Sequence, residues 1–281
     1  MEIRYADQRI FVLSETLLAE HIRQRAMDKR SGAVAGGLGG LIQRPKTEEV
    51  ELADSQKRFE PFWHVVASAR YVYDRSRKYS VPASGPEVAQ VSLTGQTYPV
   101  ADMGKAGRAF SIDVTEHCRE EVRREAFVDG LAGGALADGP GLANSPKVEI
   151  TDRASLSAEG AIVVPPETRA SFVVRQVLGQ VMKPIQADVL HEEIISLEVT
   201  DLYYRPIWAF EFVWKSKDKR GVIEFDGVTG QTRTGQSLMP KLTKAVTRDA
   251  LFDIGADTVG MLVPGGSIAV RVVKIALDAK K

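Results

Sequence analysis

Four histidines, a single cysteine and a carboxylate-rich background are what this chain offers for polar chemistry. The densest cluster is Glu116-His117-Cys118-Arg119-Glu120-Glu121, with His191-Glu192-Glu193 as a distant counterpart. A His/Cys/Glu set can ligate zinc or iron when folding joins its segments. A metal-dependent hydrolase using His117, Cys118, His191 and Glu192 is therefore one expectation. Against it, no His-x-x-x-His sets two imidazoles on one helix face, and solvated acids opening a helix account for 116–121 as well. Cys118 as a nucleophile needs a histidine positioned in space as its base, and a sequence neighbour such as His117 usually points elsewhere.

A second constellation is Arg70-Tyr71-Val72-Tyr73-Asp74-Arg75-Ser76-Arg77-Lys78-Tyr79. Arg70, Tyr71, Tyr73, Arg75, Arg77 and Tyr79 interleave cations with rings, a pattern that can stack bases and contact phosphates, or contact an acidic protein surface. An exposed hairpin with tyrosines on one face has the same pattern. The Gly-rich stretch Ser31 to Gly40 has neither a phosphate-loop nor a dinucleotide fingerprint; a flexible inserted loop is the simpler reading.

These residues must be positioned by a chain of 281 residues with 37 Lys+Arg against 37 Asp+Glu, 44% hydrophobic and 26% charged. That balance predicts a folded core and excludes a generally basic nucleic-acid binder. One cysteine cannot make an internal disulfide. With no apolar run long enough to span a bilayer and no signal-like N-terminus, the expectation is a cytoplasmic, non-membrane protein.

Comparing the chain with itself reveals three collinear matches. Arg9 to Thr16 aligns with Ala161 to Thr168 at an offset of 152, Glu60-Pro61-Phe62-Trp63 with Arg205-Pro206-Ile207-Trp208 at 145, and Thr94-Gly95-Gln96-Thr97 with Thr229-Gly230-Gln231-Thr232 at 135. The drift implies insertions in the first copy, near 31–40 and within Tyr73 to Pro86. In the second copy, Ala161–Val164 predicts a strand, Glu167 to Pro184 a helix, and Trp208–Trp214 with Val222–Asp226 a hairpin. The expected fold class is α+β: two tandem repeats, each a helix packed on an antiparallel β-meander. Units at 1–128 and 160–281 flank a Gly/Ala/Pro-rich linker at 129–159. Trp63 and Trp208 are expected to anchor each sheet to its helix. Lys244 to Met261 reads as a helix, and Ile268 to Ile275 as an edge strand or a docking helix.

Trp208-Ala209-Phe210-Glu211-Phe212, followed after a turn by Val222 to Gln231 with its Asp226-Gly227-Val228-Thr229-Gly230 element, resembles the hairpin of PepSY-type domains in a cystatin-like setting. The resemblance covers 167–231, and the first copy has Val91 where the second has Asp226. It implies a helix-on-sheet fold and a regulatory or binding module. The function expected from the whole sequence is a non-enzymatic interaction or assembly module, without cofactor or metal. It would self-associate or bind a protein partner through sheet edges and inserted loops, with Arg70, Tyr71, Tyr73, Arg75, Arg77 and Tyr79 as the binding residues.

Overall fold

The structure is a computed structural model that describes residues 1–35, 45–151, 156, 160–235, 251–252 and 271–274. Of these, 55% lie in strands and 20% in helices. The strands are β1 (Glu2–Tyr5), β2 (Gln8–Leu13), β3 (Val50–Pro82), β4 (Gln90–Leu93), β5 (Gln96–Pro99), β6 (Ala101–Asp102), β7 (Arg108–Asp129), β8 (Lys147–Ile150), β9 (Ile162–Val163), β10 (Val189–Trp214), β11 (Lys219–Asp226), β12 (Thr232–Gly235) and β13 (Arg271–Lys274). The helices are α1 (Ala19–Ala35), α2 (Gly139–Ala143) and α3 (Ala170–Val181). Eleven strands form one mixed sheet with the central order β12-β11-β10-β3-β7-β6. On its flanks β1 and β2 run parallel to β10, β9 parallel to β3, and β13 parallel to β1.

This architecture corrects the expected tandem helix-on-meander repeats. The strand, helix and hairpin predicted over 161–226 are present as β9, α3 and β10–β11, but they do not close on themselves. β3 and β10 pair antiparallel from Val50–Trp214 to Asp74–Val189, so both halves of the chain share one sheet. The helices are exchanged as well. Ile22 and Ala26 of α1 share a core cluster with Phe210, Phe212, Trp214 and Phe225 from the second half. Val173, Val174 and Val177 of α3 are buried with Trp63, Val65, Ala67 and Ala69 from the first. Even-numbered side chains of β10 from Leu202 to Trp214 share a face by strand alternation, so both helices cover the same side of the sheet.

The register explains the second sequence match. Glu60 pairs with Arg205, Pro61 with Tyr204 and Phe59 with Pro206, so the two aligned blocks lie against each other about a local two-fold axis. Proline cannot donate to a sheet ladder and is tolerated where that edge is open. Pro61 sits on β3 between its pairing with β9 and its pairing with β7, and Pro206 sits on β10 between β2 and β11. Each proline carbonyl instead accepts a hydrogen bond from a glycine: Gly130 N–H at 2.9 Å and Gly227 N–H at 2.8 Å.

Those glycines open matching turns. Asp129 Oδ1 accepts from Leu131 N at 2.8 Å and Ala132 N at 2.9 Å, and Asp226 Oδ1 accepts from Val228 N and Thr229 N, both at 2.8 Å. Gly133 (φ 72°) and Gly230 (φ 69°) complete them in the left-handed region that glycine favours. The counterpart of Asp226–Gln231 is thus Asp129–Gly134. Thr94-Gly95 instead links β4 to β5 in a separate two-stranded sheet. Within the expected linker at 129–159, the stretch 129–150 is built structure, since α2 buries Leu142 and Ala143 and β8 pairs with β2; residues 152–155 and 157–159 lie outside the described residues.

Counting equally from Trp63 and Trp208, the pair Ala69–Val122 corresponds to Trp214–Lys219. The second hairpin closes there through 215–218. In the first, the chain continues from Arg70 and returns at Glu121, so the insertion expected within 73–86 is the much longer 70–121. It forms an arm of β3 and β7 paired out to Pro82–Ala109, with β4–β5 beyond it. Of the C-terminal expectations, 271–274 is β13, and the helix at 244–261 lies outside the described residues except for Leu251 and Phe252.

Candidate functional site

The arm carries the six residues singled out from the sequence, and strand alternation divides them. Tyr71 and Tyr73 point to the helix-covered face and are buried. The Tyr71 hydroxyl donates to the Val181 carbonyl at 3.2 Å, and the Tyr73 hydroxyl to Glu120 Oε1 at 2.7 Å. These two rings belong to the core and are not available to stack on a ligand, which corrects their assignment as binding residues. Arg70 reaches Glu192 at 3.2 Å on the opposite face. Farther out, Glu116 accepts from Arg75 Nε and from the Tyr79 hydroxyl, both at 2.5 Å. The Tyr79 hydrogen bond, then Arg75, holds the Glu116 carboxyl below the ordinary range. Arg77 is exposed. The basic-aromatic run therefore presents a neutralised surface near the sheet and exposed cations, Arg77 and Lys78, toward its end.

The second constellation meets a similar fate. Segment 116–121 is strand, not the opening of a helix. Alternation turns Cys118 toward the core cluster, where it packs partly buried, while His117 faces the other way. His117 Nδ1 lies 2.7 Å from Asp74 Oδ1 and His191 Nε2 lies 2.8 Å from Asp74 Oδ2. The hydrogen bonds from His191 and His117 lower the Asp74 pKa. Glu192 is engaged by Arg70. So two of the four proposed ligands converge, on Asp74, and Cys118 and Glu192 are directed elsewhere. Among the described residues, no group of three or more His, Cys, Asp or Glu side chains is arranged to hold a metal ion.

Sequence reasoning missed the opposite face of the central sheet. Cross-strand registers align Arg9, Asp201, His64 and Phe127 in one row, and Phe11, Tyr203 and Phe62 in the next. Arg9 forks onto Asp201 through Nε at 3.2 Å and Nη2 at 2.9 Å. Burial pushes the Asp201 carboxyl up, only partly countered by Arg9. Burial likewise pushes the neighbouring Lys147 ammonium down, and its Nζ sits 5.3 Å from the Tyr203 ring centroid.

Beside this row lies a buried ion network at the two-fold axis. Arg58 bridges Glu60 at 2.8 Å and Glu224 at 2.7 Å, and Arg233 reaches Glu60 at 2.6 Å as well as Glu224. Arg205 lies 3.7 Å from Glu60 and 3.6 Å from both Asp138 and Asp226. One signal for it was in the sequence: opposite charges, Glu60 and Arg205, occupy matched positions of the aligned blocks. No family model, curated protein or solved structure gives a significant match to this chain. No helix among the described residues is long and apolar enough to cross a membrane.

His64 makes this face pH-sensitive. Its ring stacks on Phe127 at 4.3 Å between centroids, and Nε2 lies 2.7 Å from Glu125. Nδ1 is buried without a hydrogen-bond partner among the described residues, so protonation would bury an unsatisfied N–H. Burial lowers the His64 pKa, which the Glu125 hydrogen bond only partly restores. The folded pKa thus lies below the ordinary 6.5. The associated stability is fully present above 6.5 and is lost as pH falls through the lowered value. We expect denaturant titrations at about pH 7 and about pH 5 to show a smaller loss for His64→Phe, which keeps the stacking, than for the parent chain. An equal loss in both would assign the acid sensitivity to other groups.

Proposed function

We propose that this protein is a non-enzymatic interaction module whose working part is the arm at 70–121. The observation that carries this reading is the difference between two otherwise matching hairpins. One closes through 215–218, while the other extends far beyond the same pair of residues without adding to the buried core past Tyr73, apart from Ala109 and Phe110 near its end. Ordered, charged strands that the core does not need are suited to contacting another protein, since sheet edges and exposed loops are common recognition elements.

The test shortens the arm while keeping Tyr71, Tyr73 and Glu120. Joining Arg75 directly to Glu116 through an Asn-Gly turn matches the twist of an antiparallel pair. The shortened chain is expected to unfold within a few degrees of the intact one, roughly the effect of surface changes. Affinity capture from the native cell should retain at least one protein with the intact chain and lose it with the shortened chain. Identical captured sets would remove the arm from the function.

A further inference from the structure

β7 is an edge. Among the described residues its outer side pairs with β6 only at Ala109 and Arg108 and is met at Val128 by a bridge to Ala135, so no strand is paired to that side along 110–126. An open run of this length templates pairing with another strand, and natural proteins usually blunt it with charge. This one is charged in a particular order: Cys118-Arg119-Glu120-Glu121-Val122-Arg123-Arg124-Glu125-Ala126.

We propose, on the reading of this protein as an interaction module, that the partner of this edge is a second copy of the chain, pairing β7 with β7 antiparallel about a two-fold axis at Val122. In that register Glu121 lies opposite Arg123, Glu120 opposite Arg124 and Arg119 opposite Glu125, each occurring twice by symmetry. Val122 meets itself, and Cys118 meets Ala126. Every charge between 118 and 126 faces its opposite, and directly opposed residues in an antiparallel pair share a face, where unlike charges attract and like charges repel.

Neighbouring registers fail this test. Centring on Glu121 opposes Arg119 to Arg123, and centring on Arg123 opposes Glu121 to Glu125. The half-steps oppose Arg119 to Arg124 or Glu120 to Glu125. Among the five registers centred from Glu121 to Arg123, only the one at Val122 opposes no like charges, and it gives each of the six charges of 119–125 an opposite partner. Within one chain, Arg119 bonds Glu121, Arg123 bonds Glu198 and Glu125 meets His64. The Arg124 guanidinium is bonded to the Arg123 carbonyl at 2.9 Å and is paired with no carboxylate among the described residues. The partner's strand would supply one.

The closing experiment measures mass by light scattering during gel filtration and Kd by sedimentation, with circular dichroism as a folding control. The full chain is expected to dimerise. Arg124→Glu, which breaks no ion pair among the described residues, should weaken the dimer about tenfold or more, because it opposes like charges at two places. A triple R119E/R123E/R124E chain and a triple E120R/E121R/E125R chain should each be monomeric and form a heterodimer when mixed. Should a charge variant fail to fold, V122C in a C118S background decides. A residue opposite its own copy lies within disulfide reach, so this chain should cross-link on oxidation, whereas V114C in the same background should not. A full chain that stays monomeric at about 100 μM, or a dimer indifferent to Arg124→Glu and not cross-linked by V122C, would overturn the proposal. If capture of another protein still depended on the arm, only the self-pairing would fall; a dimer with no arm-dependent capture would leave the self-pairing standing without that reading.

Discussion

Glu60→Ala is expected to destabilise this protein by about 3–5 kcal/mol, the range seen when one partner of a buried ionic network is removed. Glu60 is 4% exposed and Arg58 is 2% exposed. Without the carboxylate, Arg58 keeps, among the described residues, only Glu224, while Arg205 keeps Asp138 and Asp226 at 3.6 Å. Arg58 Nη1 already lacks a hydrogen-bond partner among the described residues, so little can be redistributed. The informative comparison is R58M/E60L. It removes one charge of each sign and leaves Glu224 with Arg233, and replacing a buried pair by apolar residues is often near neutral. Denaturant unfolding should find the double variant more stable than Glu60→Ala, despite its two substitutions. If the single variant were the milder, the network would be hydrated and the buried-charge argument wrong.

The same network adds to the acid sensitivity through Glu224. Burial raises the Glu224 pKa, but hydrogen bonds and charge from Arg58 and Arg233 outweigh it, so the net shift is downward. Its contribution is fully present above the ordinary 4.5 and is lost as pH falls through the lowered folded value.

Gly221→Ala is expected to cost about 1–3 kcal/mol, as overpacking a close contact does. A Cβ at Gly221 would fall on the Ala33 carbonyl and 3.0 Å from Val34 Cα, so the last turn of α1 would have to leave β11. Val34 is buried with Phe212, Trp214 and Phe225, and that packing would loosen with it. Gly179→Ala is the control. Gly179 lies inside α3 with nothing within 4 Å of an added Cβ, and alanine there should add about 0.5–1 kcal/mol, because it narrows the unfolded ensemble. Opposite shifts in the unfolding midpoints are the expected result. A neutral Gly221→Ala would mean that α1 is not seated against β11 as described.

Much of the local structure was legible. The alternating aromatic and β-branched run Trp208–Trp214, its return at 222–226 and the helix between Pro166 and Pro184 have periods of 2 and 3.6 that neighbouring residues suffice to reveal. The match of Glu60-Pro61 with Arg205-Pro206 was also legible, though not its meaning. The candidate site was less so. Arg70 to Tyr79 read as one surface until alternation buried Tyr71 and Tyr73. His117 and His191 met only because Asp74 lies between them on a shared face, and Cys118 was turned away by the same alternation.

By itself the sequence determined the strand, helix and hairpin within 161–226 and which charges a strand displays in order. Only the tertiary structure decided that the two aligned blocks pair with each other, that each helix covers the other half's strands, and that 70–121 leaves the sheet as an arm. The reason is physical. Side-chain periodicity is a local property, whereas backbone hydrogen bonds are nearly blind to residue type, so which edge meets which is settled by the burial and charge pairing of residues far apart in the chain.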